Sequence, residues 1–124
     1  MSEVRTLGRA FAEAFASKDV HQLSELLHPE IDFRGLTPKH DWKARGAEQV
    51  VSEVLQRWLD DFTDDAKLVE VASHSFADTE SLTYRFTGHD AEGPFVCEQH
   101  AYLTEDGGRI NWMRLVCSGF CALA

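Results

Sequence analysis

Apolar positions recur at helical spacing through the first half of the chain and at alternate positions through the second. Leu7, Phe11, Ala14 and Phe15 fall at i, i+4, i+7 and i+8, so they share one face of a helix that stops near Ser17-Lys18. Asp19 is placed to cap a second helix, with Gln22 completing a capping-box arrangement and Leu23, Leu26 and Leu27 as the buried stripe. His28-Pro29 ends it, because proline disfavours helical geometry in the residue before it. Ile31 to Gly35 reads as a strand, and Thr37 to Arg45 as an irregular polar segment. A third helix is predicted from Ala47, Val50, Val51, Val54, Leu55, Trp58, Leu59 and Phe62, which repeat at three- and four-residue spacing. Its Val50, Val54, Trp58 side is too apolar to leave in water and is expected on the sheet. Asp60, Asp61, Asp64 and Asp65 surround its end, where acidic charge opposes the helix dipole, so they are expected to be solvated.

From Lys67 the period changes to two. Leu68 to Phe76, Leu82 to His89, Phe95 to Leu103 and Ile110 to Phe120 read as strands, separated by Ala77-Asp78-Thr79, Asp90-Ala91-Glu92-Gly93 and the Gly107-Gly108 turn. Connections this short predict an antiparallel meander, and the order of elements predicts an α+β cone. The 124 residues suit one domain spanning 1–124.

A net charge of −9, with 12 Lys and Arg that form no patch, argues against nucleic acid and anionic membrane as partners. No apolar run reaches membrane-spanning length. Met1-Ser2-Glu3 lacks the basic and apolar regions of a signal peptide, and Cys97, Cys117 and Cys121 lack the paired spacing of a disulfide framework. A cytoplasmic location is expected. No CxxC pair or HExxH helix is present, so neither a metal nor another cofactor is expected.

Several segments together resemble a family: "ASKDVHQLSELLHPEIDF" as a helix–helix–strand opening, a third helix beginning at "ARGAEQVV", and a final hairpin written "AYLTEDGGRINWMRLVCSGF" with its "DGGRI" turn. The chain is similar to the nuclear-transport-factor-2-like superfamily, in its polyketide-cyclase-like and ketosteroid-isomerase-like branch. The resemblance implies a strongly bent antiparallel sheet wrapped around three N-terminal helices, an apolar cavity at the open end, and a homodimer. It implies catalytic residues that are missing here. The helix-1 tyrosine of ketosteroid isomerase falls at Phe11, its first-strand aspartate base at about Gly35, and its oxyanion-hole acid at about Gln99 or His100. Phenylalanine has no hydrogen to donate to an enolate and glycine has no group to take a proton. Nothing matches the aspartate–arginine–aspartate arrangement of the limonene-epoxide-hydrolase branch.

On the last strand Asn111, Met113, Leu115 and Cys117 point one way, and Ile110, Trp112, Arg114, Val116 and Ser118 the other. The resemblance implies that the Met113 row lines the cavity. With a two-residue Asp106-Gly107 turn, Val96, Glu98, His100 and Tyr102 share the Met113 face; with a three-residue loop and a bulge, Cys97, Gln99, Ala101 and Leu103 do, and His100 lies outside near Arg114. In the first register Glu98 would orient the His100 imidazole as a general acid or base on the cavity wall. In the second, Glu98, His100 and Arg114 form a solvated outer row.

Tyr84 is expected to be a core aromatic whose hydroxyl reaches the cavity, and Trp42 to cover an apolar surface at its mouth beside His40 and Asp41. Asp32 and Arg34 read as a surface ion pair. Trp112 and Val116 are candidates for a symmetric contact on the face away from the cavity. Two function classes remain. One is a pocket for a small apolar, carbonyl-bearing molecule that performs isomerase, cyclase or hydrolase chemistry, with His100 and Glu98 catalytic and Trp42, Tyr84, Tyr102, Asn111, Met113, Leu115 and Cys117 around the substrate. The other is a non-catalytic ligand-binding or dimeric scaffold protein.

Overall fold

The computed structural model describes residues 6–123; Met1-Ser2-Glu3, the residues that carry the expectation of no leader, lie outside the described residues. Helix α1 (Leu7–Ala16) begins at Thr6, whose side chain accepts the Arg9 N–H, and it buries Phe11, Ala14 and Phe15. Helix α2 (Val20–Leu26) is capped by Asp19, which accepts the Gln22 N–H at 3.0 Å, and buries Leu23 and Leu26. The caps satisfy donors that the first helical turn leaves without intrahelical partners.

Strand β1 (Leu27–Thr37) follows without a loop and extends beyond Ile31–Gly35 at both ends. Pro29 sits where the pairing register shifts between Leu27 and Asp32, a site where its missing N–H breaks no ladder bond. The segment predicted as irregular is a strand: β2 (His40–Arg45) folds back on β1 from Thr37↔His40 to Asp32↔Arg45. Only Ala44 in it is buried, so no alternation of apolar residues marks it.

Helix α3 is composite, with Ala47–Gln49, Val50–Leu55 and Gln56–Asp61 joined end to end and the middle segment π-helical. Its apolar stripe lies on the sheet as expected: Trp58 is 5% exposed and packs 5.9 Å from the Phe33 ring. The acidic residues at its end are exposed, but three of them have partners: Asp60 accepts from Gln56 Nε2 at 3.3 Å, Asp64 lies 3.8 Å from Lys18, and Asp65 accepts from Thr63 and His89.

Strands β3 (Lys67–Phe76), β4 (Thr79–Asp90), β5 (Gly93–Asp106) and β6 (Arg109–Cys117) form the antiparallel meander, and β1 inserts beside β6 in parallel. The resulting curled, unclosed sheet has the order β2-β1-β6-β5-β4-β3. The last predicted strand stops short at Cys117. Ser118–Phe120 then cross over to a short β7 (Cys121–Ala122), which pairs with β5 at Phe95 and Val96.

The register of the β5–β6 hairpin decides which side chains face inward. Gly107 and Gly108, both at positive φ, form a two-residue turn between Asp106 and Arg109. The pairing then shifts: Glu105 opposes Ile110 but Thr104 opposes Trp112, leaving Asn111 as the bulged residue. Cys97, Gln99, Ala101 and Leu103 therefore face inward with Met113 and Leu115, and all six are buried. Burial of that row drives the choice, because the alternative register would put Glu98 and His100 into the core.

Candidate functional site: the cleft at the open end of the sheet

At the end of the sheet where β1 turns into β2 and β6 leaves for β7, the concave face opens into a cleft of about 410 Å³. Trp42, Trp58, Phe62 and Phe120 give it apolar walls, and Gln99 and Cys117 lie at its base. Trp42 is anchored by its indole N–H, which donates to Thr37 Oγ1 at 2.8 Å. Its ring meets Trp58 edge-on at 6.0 Å. Phe120 stands against both Phe62 and Phe95 with ring centres 5.0 Å away, so the crossing after β6 supplies one wall.

Polar groups without partners are concentrated here. Gln99 is 1% exposed, and neither its amide nitrogen nor its oxygen has a hydrogen-bond partner. The indole nitrogen of Trp58 and the hydroxyl of Tyr84, which lies opposite Gln99 across the β4–β5 ladder, are likewise buried and unpartnered. Burying an amide without hydrogen bonds costs roughly 1–3 kcal/mol, and such groups in folded proteins call for an explanation. Burial pushes the Tyr84 pKa well up, so it stays a neutral donor.

Two thiols lie beside this amide. Cys97 Sγ, on the fully buried side, is 3.5 Å from Cys117 Sγ, and the Gly119 N–H donates to Cys117 Sγ at 3.4 Å. Cys97 keeps its proton, since donating it to Cys117 and burial both raise its pKa. The same hydrogen bond from Cys97 holds the Cys117 thiol below its ordinary value, against the opposing effect of burial, with smaller help from Gln99 and the Gly119 N–H. Gln99 and Cys117 are cross-strand neighbours on β5 and β6.

Two of the positions that the resemblance assigned to catalysis, Gly35 and Phe11, are filled by packing. A side chain built at Gly35 would meet Trp58 Cη2 at 2.9 Å, so the indole occupies the space of the missing base. Phe11 is fully buried and stands edge-on to Tyr84 at 6.5 Å.

No family model matches the chain, and no curated protein does. Solved structures do match. A hypothetical protein with a ketosteroid isomerase-like fold from Catenulispora acidiphila, in complex with trimethylamine, superposes with a TM-score of 0.74 at 16% identity over 94% of this chain and 88% of that one. An NTF2-like protein from Burkholderia thailandensis matches at TM-score 0.68 and 22% identity over 93% and 92% of the two chains. One of unknown function from Cytophaga hutchinsonii matches at 0.67 and 15% over 93% and 99%. The chain has the NTF2-like fold.

Within this NTF2-like frame, the residues expected at the site divide between the two faces of the sheet. Met113 and Leu115 are core, Tyr84 stands beside Gln99, and Trp42 and Cys117 reach the cleft. Asn111 sits in the hairpin bulge at the other end and accepts from Thr104 Oγ1 at 2.7 Å. Glu98, His100 and Tyr102 lie on the outer face, which corrects the first register. Glu98 accepts from Arg85 Nη2 at 2.7 Å rather than orienting an imidazole. The His100 ring lies between Ser81 Oγ, 3.3 Å from Nε2, and Thr83 Oγ1, 3.2 Å from Nδ1. Asp32 pairs with Arg45 at 3.6 Å and Arg114 at 3.2 Å, not with Arg34.

Gln99 and Trp58 are the functional candidates that sequence reasoning passed over. Gln99 was visible as one of two alignments with an oxyanion-hole position and as a member of the inward row in the second register, and Trp58 as one member of an apolar stripe.

Proposed function

We propose that residues 1–124 form one domain that binds a small, largely apolar molecule through a carbonyl or similar neutral oxygen. The observation that carries this reading is Gln99: a fully buried amide with no partner, at the base of a cleft whose walls are aromatic. A ligand oxygen there would accept from the Gln99 amide or the Trp58 indole, and the ligand's carbon skeleton would cover Trp42 and Phe120. The reading requires no cofactor. The absence of any helix among the described residues that is long and apolar enough to cross a membrane is compatible with a cytoplasmic location, and the free thiols support a reducing one. A second copy on the exposed outer face completes the proposal.

The acid–base alternative, an isomerase, cyclase or hydrolase, needs an ionisable group in the cleft. Among the described residues Asp61 and Cys117 fill that place, while His100 and Glu98 lie behind the sheet.

The test is a tryptophan-fluorescence titration with 4-phenylbutan-2-one and with butylbenzene, which has no oxygen. Saturable quenching by the ketone, at least about tenfold tighter than by the hydrocarbon and reduced to the hydrocarbon's level in Gln99→Leu, is the expected result. Equal affinity for both compounds, or no saturation, would overturn the reading.

A further inference from the structure

A thiol in an aromatic cleft beside unpaired N–H donors has a use that reversible binding leaves unexplained. Cys117 is half-buried and lines the cleft, so a ligand can reach its sulfur. The Gly119 N–H donates to that sulfur at 3.4 Å, and the Cys97 thiol lies 3.5 Å from it, within reach to donate as well. Charge settles on Cys117 rather than on Cys97, because Cys97 has no exposed surface. Among the described residues, the other titratable groups around it are Tyr84 on β4 and Asp61 at the end of α3, and neither is a cation. Activation therefore comes from hydrogen bonds alone. The third cysteine, Cys121, is exposed, outside the cleft wall, and its Sγ–H points at the Ser118 and Gly119 carbonyls at 3.8 Å.

We propose that Cys117 is a nucleophilic site for α,β-unsaturated carbonyl compounds, with Gln99 and Trp58 as donors to the carbonyl oxygen. The proposal rests on the cleft reading above and names the ligand class and the covalent step. The Cys117 thiolate forms a carbon–sulfur bond at the β-carbon. The electron pair of the carbon–carbon double bond moves onto the carbonyl oxygen, giving an enolate. Gln99 Nε2–H and Trp58 Nε1–H, both without partners in the free protein, hydrogen-bond the developing charge. The α-carbon then takes a proton from water, replacing the one Cys117 released on ionising. The sum is addition of S–H across a double bond, with nothing oxidised or reduced and no leaving group. Cys97 acts as a positioning residue, since it touches the nucleophile and does not line the cleft.

The experiment uses the whole chain, reduced and freed of reductant, with 4-phenylbut-3-en-2-one at neutral pH. Intact mass and peptide mapping follow the adduct, and the saturated ketone's fluorescence titration runs in parallel. One adduct on Cys117 is expected, formed about tenfold faster than any on Cys121. Cys121→Ser should leave the rate unchanged and Cys117→Ser should abolish the fast adduct. Cys97→Ala should slow it and move its pH profile toward that of an ordinary thiol, with Cys97→Val as the volume-preserving check on folding. Modification at Cys121 alone, an undiminished rate in Cys117→Ser, or a Cys97–Cys117 disulfide in place of the adduct would overturn the proposal. Saturated-ketone binding without an adduct would sink the nucleophile and leave the cleft reading standing; absence of both would remove the two together.

Discussion

The Glu80 carboxylate on β4 caps helix α1 at Gly8 from across the molecule. Its Oε1 accepts the Gly8 N–H at 3.0 Å, while Oε2 accepts from Thr6 Oγ1 at 2.6 Å and from Ser73 Oγ at 2.7 Å. A negative charge at a helix N-terminus also complements the helix dipole. The first helix is thereby tied to two strands of the sheet. A side chain at residue 8 would collide with this carboxylate, so glycine is required for the approach.

Glu80→Ala is expected to destabilise the protein by about 2–3 kcal/mol, and Glu80→Gln by about 1 kcal/mol because it retains an acceptor but loses the charge. Urea denaturation checks both. Equal midpoints for the wild type and Glu80→Ala would show the tie to be decorative.

Gly35 faces the Trp58 ring at a distance that leaves no room for a methyl group. Gly35→Ala should cost about 1–3 kcal/mol through overpacking and shift the Trp58 emission, because the indole must move toward the cleft. Gly35→Asp should not create a base. Its carboxylate would be buried under the indole, and the variant should be the less stable of the two.

Gln99→Leu should make the unliganded protein more stable, by about 1–3 kcal/mol, while removing its preference for a ketone. Thermal denaturation with and without 4-phenylbutan-2-one separates the two effects. A destabilised Gln99→Leu would mean that the amide is satisfied in the free protein and would weaken the site it anchors.

Asp65 is held at about 2, below its ordinary 3.8, by the Thr63 hydroxyl first and then by the backbone N–H and ring of His89. A lowered carboxyl pKa adds stability that is fully present above the unfolded value and is lost as pH falls through the folded one. Asp65→Asn should therefore be less stable than the wild type near neutral pH, and the gap should close as the pH falls from about 3.8 to about 2. Urea midpoints measured across that range give the answer; parallel curves would refute the assignment.

Leu36 and Val116 are neighbours across the β1–β6 pairing on the outer face, 51% and 55% exposed. Trp112, expected beside Val116 in the contact, is partly covered by the Arg114 guanidinium 4.6 Å above its ring. A homodimer through this face should sediment at twice 14.0 kDa, and Val116→Asp should return it to the monomer. A monomer at all micromolar concentrations would rule it out.

Much of the architecture was readable from apolar periodicity. Phe11 and Phe15, the Asp19 cap, the Val50–Trp58 stripe and the four long strands each follow from local spacing. β2 was not legible, since one buried Ala44 in an otherwise exposed edge strand leaves no alternation to read. The π-helical segment Val50–Leu55 also left no trace, because Val50, Val51, Val54 and Leu55 suit either kind of turn. The site depended on parity. Whether His100 or Gln99 faced inward hung on the single bulged Asn111, and a bulge is set by what the whole core needs, not by the turn sequence alone.

Glu98 and His100 have a consequence for how variants of this protein are interpreted. The strand that carries Cys97 and presents Gln99 to the cleft is fastened from behind to β4, through Arg85, Ser81 and Thr83. Cutting those ties would let the strand drift and would move Gln99 with it, so ligand binding can fall in a His100 variant whose side chain is a full sheet thickness from the ligand. A mutational scan scored on activity alone would place His100 inside the pocket, and only a paired stability measurement would put it back on the outside.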